Sequence, residues 1–358
     1  MNTSHESRAT ADYLKRQIGR LLMVGIPGPV LEADTRQTLE RLHVGGVILF
    51  RRNGGSPVQI AALTRALHAL PSAPLVAIDH EGGRVVRLDE PFTRFPAAAV
   101  VGGSGDAGLA FQIGQAMGEE LAGVGIDLNF APVLDVHSNP ANPIIGDRAF
   151  GSDPALVSVM GIALMRGLLA GGVIPCGKHF PGHGGTAQDS HLELPIVRRS
   201  RAEIERTELA PFRAAIAAGI PMLMTAHVLY PALDAERPAT VSRAILTDLL
   251  RTELGFKGVV VSDDLEMRAI SDRSDIGAAA VASVEAGVDA LLVCQDLAKA
   301  ERAAQAIEDA VGEGVLDRDR ISAAVDRVQR LRDLRPSRPI AACKLPNARH
   351  QALVEGLT

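Results

Sequence analysis

Apolar residues in this chain follow two alternating rhythms. Short runs rich in Val, Ile and Leu occur at 21–25 (LLMVG), 46–50 (GVILF), 75–79 (LVAID) and 127–131 (DLNFA). They continue at 173–179 (VIPCGKH), 222–227 (MLMTAH), 258–263 (GVVVSD) and 290–294 (ALLVC). Runs of this length and branching suit strands buried on both faces. Between them, apolar residues recur at helical spacing over 57–70, 105–124, 153–170, 201–218, 242–254, 276–286 and 296–311. Helix starts are marked by Ser56, by Asp153 followed by Pro154, and by Ser200 with Glu203 three residues on. Alternating strands and helices predict βα units around a parallel sheet. Eight such strands predict an α/β protein, a single-domain (β/α)8 (TIM) barrel, with an open doubly wound sheet as the competing architecture.

No Ser/Gly/Pro linker or internal repeat divides the chain. The barrel is expected over 1–335, and 336–358 as a Pro-broken tail that packs on it or is loosely ordered. The 358 residues, 47% of them hydrophobic, suffice for one such core. A net charge of −5 without a dense basic block speaks against nucleic acid and anionic membranes as partners. Three cysteines fit a reducing compartment without a disulfide framework. Cys176 and Cys294 lie in apolar runs and read as small core residues. The first 20 residues carry no apolar leader segment, and no continuous run reaches the roughly 18 apolar residues of a membrane span. A cytoplasmic protein with no cofactor and no obligate protein partner is the expectation. With nine Phe, two Tyr and no Trp, the chain has few stacking platforms for a long polysaccharide. Sugar recognition here would rely on polar bonds in a small pocket.

In such a barrel the chemistry sits at the C-terminal ends of the strands. Those ends carry Asp79, with His80 and Glu81 after it, then Lys178–His179, His227, and Asp263–Asp264. Ionisable groups at a buried mouth are costly unless paired or used, so they form either a functional site or ion pairs sealing the barrel. The stretch 178–195, KHFPGHGGTAQDSHLELP, reads as a long loop after the fifth strand, and its three glycines between Pro181 and Thr186 suggest mobility. In it Asp189 lies two residues before His191. A carboxylate bonded to one ring nitrogen fixes the tautomer of an imidazole and raises the basicity of the other nitrogen, which suits a general acid/base. The alternative is a solvated loop with incidental polar residues. Side chains alternate along a strand, so only one of Asp263 and Asp264 is expected to face the pocket. Asp263, the first carboxylate after the apolar run, is the candidate nucleophile, and with the Asp189–His191 pair it meets the needs of retaining glycoside hydrolysis.

These residues form motifs that resemble the β-N-acetylglucosaminidases of glycoside hydrolase family 3. The KHFPGHG…DSH loop is joined, in family order, by IDHEGGRVVRL (78–88), DLNFAPVLDV (127–136), IGDRAFG (145–151) and VSDDLEM (261–267). The resemblance implies Asp263 as the nucleophile, His191 as the acid/base and Asp189 as its partner. It implies Asp79, Arg87, Arg148, Lys178 and His179 as ligands of the sugar hydroxyls. The implied substrate is a small glycoside with terminal β-linked N-acetylglucosamine, from cell-wall fragments being recycled. The chain is too short for the second domain that supplies a glutamate acid in many β-glucosidases of the family, so the acid is expected from the barrel itself.

Glu266 departs from the family pattern, in which a small polar residue is expected, and would alter the aglycone preference if it faced the pocket. The roles of His183, His227 and Asp264 are open. Two rival readings use the same residues. One is a metal-dependent barrel hydrolase, although the first strand ends in Val24-Gly25-Ile26-Pro27 without a ligand. The other is a sugar-binding protein that has lost catalysis. Phosphate in place of water as the acceptor is a third possibility.

Overall fold

A computed structural model describes residues 3–187, 194–335 and 344–357. Eight parallel strands close into a barrel in sequence order. They are β1 (Leu22–Gly25), β2 (Gly46–Leu49), β3 (Leu75–Ile78), β4 (Leu128–Asn129), β5 (Ile174–Phe180), β6 (Met222–Thr225), β7 (Val259–Asp264) and β8 (Ala290–Val293). Each lies on one of the eight apolar runs, and β8 pairs with β1, which excludes the open sheet. Side chains alternate. Met23, Ile48, Ala77, Cys176, Met222, Val261 and Leu292 fill the interior. Leu22, Val24, Val47, Val76 and Val260 face the helices. The fourth strand is short because Pro132 has no N–H to continue the ladder. The Asn129 side chain takes over there, accepting from His80 N and donating to His80 O.

The surrounding helices are α1 (Thr3–Arg20), α2 (Ala33–Leu42), α3 (Pro57–His68), α4 (Ala98–Ser104), α5 (Ala107–Gly123) and α6 (Pro154–Gly171). They continue as α7 (Arg201–Arg206), α8 (Leu209–Ala217), α9 (Arg268–Ser271), α10 (Ile276–Ala286), α11 (Leu297–Gly312), α12 (Arg318–Arg332) and α13 (Ala348–Val354). The caps at Ser56, Asp153 and Ser200 form, with Ser56 and Ser200 in capping boxes. Three helices differ from expectation. The 105–124 segment starts at Ala107, capped by Asp106, after a separate α4 that ends at Gly105. The 201–218 segment breaks into α7 and α8, because Pro211 cannot donate back to Thr207. Residues Ala244–Glu253 wind with wide i→i+5 bonds. The helices α1, α2 and α12 went unanticipated since each is highly charged, and α2 buries only Thr35 and Leu39.

Of these, α12 matters most to the barrel. Its Val328 and Leu331 join the interior cluster and plug the N-terminal end, leaving the opposite mouth for chemistry. Among the described residues one helix, α6, is long and apolar enough to cross a membrane by composition, with a mean hydropathy of 1.6. Here it packs on α5 and α8, with Val157, Met160, Leu164 and Leu168 inward. Its crossing with α5 requires glycine: a Cβ at Gly167 would lie 2.1 Å from the Phe111 carbonyl oxygen. In the tail, α13 packs against α5, where buried His350 bridges Glu120 (2.9 Å) and Glu119 (3.1 Å).

Candidate active site

The mouth opposite α12 holds a cavity of about 550 Å³. Asp79, Arg87, Arg148, Lys178, His179 and Asp263 all line it, from β3, the segment after β4, β5 and β7. Asp189 and His191 lie outside the described residues, as does the rest of 188–193 in the loop for which mobility was expected.

One side of the cavity is a bonded set of charges. Lys178 is buried, and its Nζ lies 2.6 Å from both Asp79 Oδ1 and Glu81 Oε1. Arg148 meets the Glu81 carboxylate with two parallel bonds, Nε to Oε2 at 2.9 Å and Nη2 to Oε1 at 2.8 Å. Arg87 Nη2 stands 3.5 Å from Asp79 Oδ2. Burial by itself raises the Glu81 carboxyl, yet Arg148 and Lys178 hold it far below the usual carboxylate range. Burial likewise lowers the Lys178 ammonium, and Asp79 and Glu81 more than restore it. Glu81, Arg148 and Lys178 are therefore ionised, and the bonded set presents charge-assisted donors and acceptors in place before substrate arrives. Glu81 was not assigned a role from sequence, although it stands within the IDHEGGRVVRL motif.

A second hub is Asp135, fully buried and also unassigned, though it lies within DLNFAPVLDV. Its Oδ2 lies 2.7 Å from His179 Nδ1, and its Oδ1 accepts from the backbone N–H groups of His179 and His183. The ring nitrogen facing the cavity is then Nε2 of His179, 3.5 Å from Arg148 Nη2. Burial raises the Asp135 carboxyl, and His179 brings it below its ordinary value. His183 also lines the cavity, its Nδ1 3.0 Å from Thr186 Oγ1. Burial, with His179 close by, pushes its imidazole down to about 4, so it is neutral near pH 7. The backbone at Gly184 runs against β4's continuation, where a Cβ would meet Val136 O at 1.7 Å.

Across from these groups stands Asp263, at the end of β7. Its Oδ1 accepts from the Asp264 N–H at 2.9 Å, which orients the carboxylate. Burial raises its carboxyl, but His227, His179, that N–H and Lys178 outweigh burial and hold it below the ordinary value. It is an ionised carboxylate facing a cavity lined by cations. His227 is fully buried beneath it, with Nε2 2.9 Å from the Asp264 carbonyl oxygen and Nδ1 2.7 Å from Thr240 Oγ1.

One expectation is corrected, and one open position is placed. Strand alternation would place one of Asp263 and Asp264 in the cavity, yet both line it. The β7–β8 register shifts between Val261 and Asp264, and this irregularity breaks the period of two. Glu266 does not line the cavity. Its Oε2 accepts from the Gln295 N–H at 2.5 Å and the Asp296 N–H at 3.3 Å, and its Oε1 lies 3.0 Å from Lys299 Nζ.

The Asp264 carboxyl is pushed up to about 7 by burial, reinforced by the nearby charges of Glu266 and Asp263. A carboxyl raised in the folded state costs stability as pH rises from about 4 towards 7, with the full cost above that. Asp264→Asn is expected to remove that cost while its amide oxygen still accepts from the Glu266 and Cys294 N–H groups. Allowing for partial exposure, thermal unfolding at pH 8 should show a gain of about 1–3 kcal/mol, against little change near pH 4. Equal effects at both pH values would show that Asp264 is not the titrating group.

Among the described residues, no group of three or more His, Cys, Asp and Glu side chains is arranged to hold a metal ion. The family model for the glycosyl hydrolase family 3 N-terminal domain matches residues 13–331. A β-hexosaminidase of Thiobacillus denitrificans is 44% identical over 280 residues, 76% of this chain and 77% of that protein. The solved glycoside hydrolase family 3 β-N-acetylglucosaminidase of Paenibacillus sp. matches with a TM-score of 0.93 at 41% identity, over 96% of this chain and 68% of that one. NagZ of Neisseria gonorrhoeae, in complex with N-trifluoroacetyl-D-glucosamine, matches with a TM-score of 0.73 at 38% identity, over 87% and 97% of the two chains.

Proposed function

The chain belongs to glycosyl hydrolase family 3, and from that premise we propose that it removes terminal β-linked N-acetylglucosamine by double displacement, with Asp263 as the nucleophile. Its reaction class is that of a β-N-acetylhexosaminidase. The observation that carries the mechanism is the oriented, ionised Asp263 carboxylate in the same cavity as the Asp79–Glu81–Arg148–Lys178 set. The bound analogue in the gonococcal relative supports the choice of sugar.

The sugar hydroxyls bond to the fixed charges, which sets the anomeric carbon against Asp263. Asp263 attacks that carbon as the bond to the leaving oxygen breaks, and a covalent glycosyl ester forms. The leaving oxygen takes a proton from His191, which the sequence motif assigns as the acid with Asp189 behind it. Water then attacks the same carbon, His191 takes its proton, and Asp263 is released. Two inversions give net retention. Phe50 is the only Phe, Tyr or Trp lining the cavity among the described residues, which favours a short substrate over a long polysaccharide. A cell-wall fragment such as an anhydromuropeptide, cleaved in the cytoplasm, fits that size and the family motifs.

Release of chromophore from an aryl β-N-acetylglucosaminide and an aryl β-glucoside tests this reading. The first should be cleaved at least about 100-fold faster, a difference in transition-state binding of about 3 kcal/mol. The product should be free sugar even with phosphate present, and a chelator should leave the rate unchanged. Comparable rates on the two substrates, sugar phosphate as product, or loss of activity to the chelator would each sink it.

A further inference from the structure

Gln295 is an exposed residue just after β8, yet its amide oxygen is bonded to a guanidinium. Arg52 Nη1 donates to Gln295 Oε1 at 2.9 Å. A guanidinium only donates, so the amide oxygen must face Arg52 and the NH2 group must face away. Gln295 Nε2 makes no hydrogen bond among the described residues. Arg52 is itself fixed, with Nε donating to Ile26 O at 2.8 Å and Nη2 to Cys294 O at 2.5 Å. Its guanidinium lies 4.6 Å from the centre of the Phe50 ring. The Gln295 backbone is pinned from the other side, by the Glu266 carboxylate that Lys299 holds.

A surface glutamine ordinarily samples many rotamers, and ordering it has an entropic cost. The fold gains little from this one, because it covers no core. The arrangement makes sense as preorganisation for a ligand, since a donor fixed in advance loses less entropy on binding. Gln295 and Phe50 line the same cavity as Asp263. They follow the C-terminal ends of β8 and β2, outside the β3–β5 arc that holds the Asp79, Glu81 and Lys178 charges. Asp264, next to the nucleophile, accepts from the Cys294 N–H, which ties the β8 end to the residue beside the nucleophile.

Resting on the reading of the site given above, we propose that Gln295 determines specificity on the leaving-group side, its Nε2–H2 donating to an oxygen of a carbohydrate aglycone. Arg52 and Glu266 are its positioning residues. Phe50 supplies the apolar part of the same wall. The favoured leaving group is thus a second sugar, whose hydroxyl or amide oxygens can accept, over a simple aryl group.

The test compares kcat/KM on N,N′-diacetylchitobiose and on an aryl β-N-acetylglucosaminide for the wild type, Gln295→Met and Gln295→Ala. One neutral hydrogen bond corresponds to about a 3- to 10-fold effect. Both variants should lose the disaccharide relative to the aryl substrate by that ratio. In Arg52→Ala the same ratio should fall, and adding Gln295→Met should not lower it further. An unchanged ratio in both Gln295 variants overturns the proposal, as does an equal loss on the two substrates. If the wild type cleaves neither substrate, the reading of the site fails and takes this proposal with it, a result distinct from any change in ratio.

Discussion

Asp263→Asn should lower kcat/KM on an aryl β-N-acetylglucosaminide by at least about 1,000-fold, or about 4 kcal/mol of transition-state stabilisation. The substitution is a narrow one. An asparagine amide oxygen still accepts from the Asp264 N–H, so the local bond that orients the side chain survives. What disappears is the anion that His227, His179 and Lys178 favour over the neutral acid. Without it no glycosyl ester forms, and positive charge developing at the anomeric carbon loses its counter-ion. Substrate affinity should change far less than turnover, because the hydroxyl ligands stay paired. Single-turnover kinetics and a circular-dichroism melt separate this outcome from misfolding. A variant within about tenfold of the wild type would show that another group attacks. As a further check, Asp263→Gly with azide present should yield a glycosyl azide of inverted configuration, because azide then enters where the carboxylate stood.

Asp289→Ala, at the other end of the barrel, should unfold the protein more readily by about 3–5 kcal/mol. Asp289 precedes β8 and is completely buried. It accepts from the Val260 N–H at 3.0 Å, and from Arg320 and Arg327 at 3.1 Å each. It also pairs with Arg251. These three arginines are only 14–27% exposed. Burial already holds the Arg251 and Arg320 guanidiniums below their ordinary value despite Asp289. Removing the one carboxylate would leave three partly buried cations facing one another, and would loosen α12 from the barrel end it plugs. Asp289→Asn should be less severe, since it still accepts the Val260 N–H. Activity per folded molecule at low temperature should be nearly unchanged, as the cavity lies at the opposite mouth. Denaturant midpoints measure the first claim, and active-site titration against rate measures the second. A shift below about 1 kcal/mol would mean that the arginines find other partners or water.

How far these features were legible depends on the distance along the chain over which each is encoded. Strand and helix positions follow from apolar spacing within a few residues, so all eight strands could be located. Helix caps at Ser56, Asp153 and Ser200 are local in the same way. The charged helices α1, α2 and α12 were not, because a few apolar residues give little contrast against many polar positions. At the site, Asp79, Arg87, Arg148, Lys178, His179 and Asp263 were picked out by type and motif, and they converge on one cavity. Glu81 and Asp135 were passed over because their importance lies in their partners. Asp135 meets His179 across 44 residues of sequence, Glu81 meets Arg148 across 67, and Lys178 meets Asp79 across 99.

The sequence by itself determined the class of barrel, the strand ends where chemistry gathers, and the motifs that mark the family. Hydrophobic period and short motifs are local properties, set by backbone geometry within one element, and a single chain displays them directly. The tertiary structure decided which charges pair, that both Asp263 and Asp264 reach the cavity, that Glu266 turns away from it, and which way the Gln295 amide faces. Each of those depends on strand register or on contacts between elements far apart in the chain. Such contacts exist only once the barrel has closed and burial has made an unpaired charge costly.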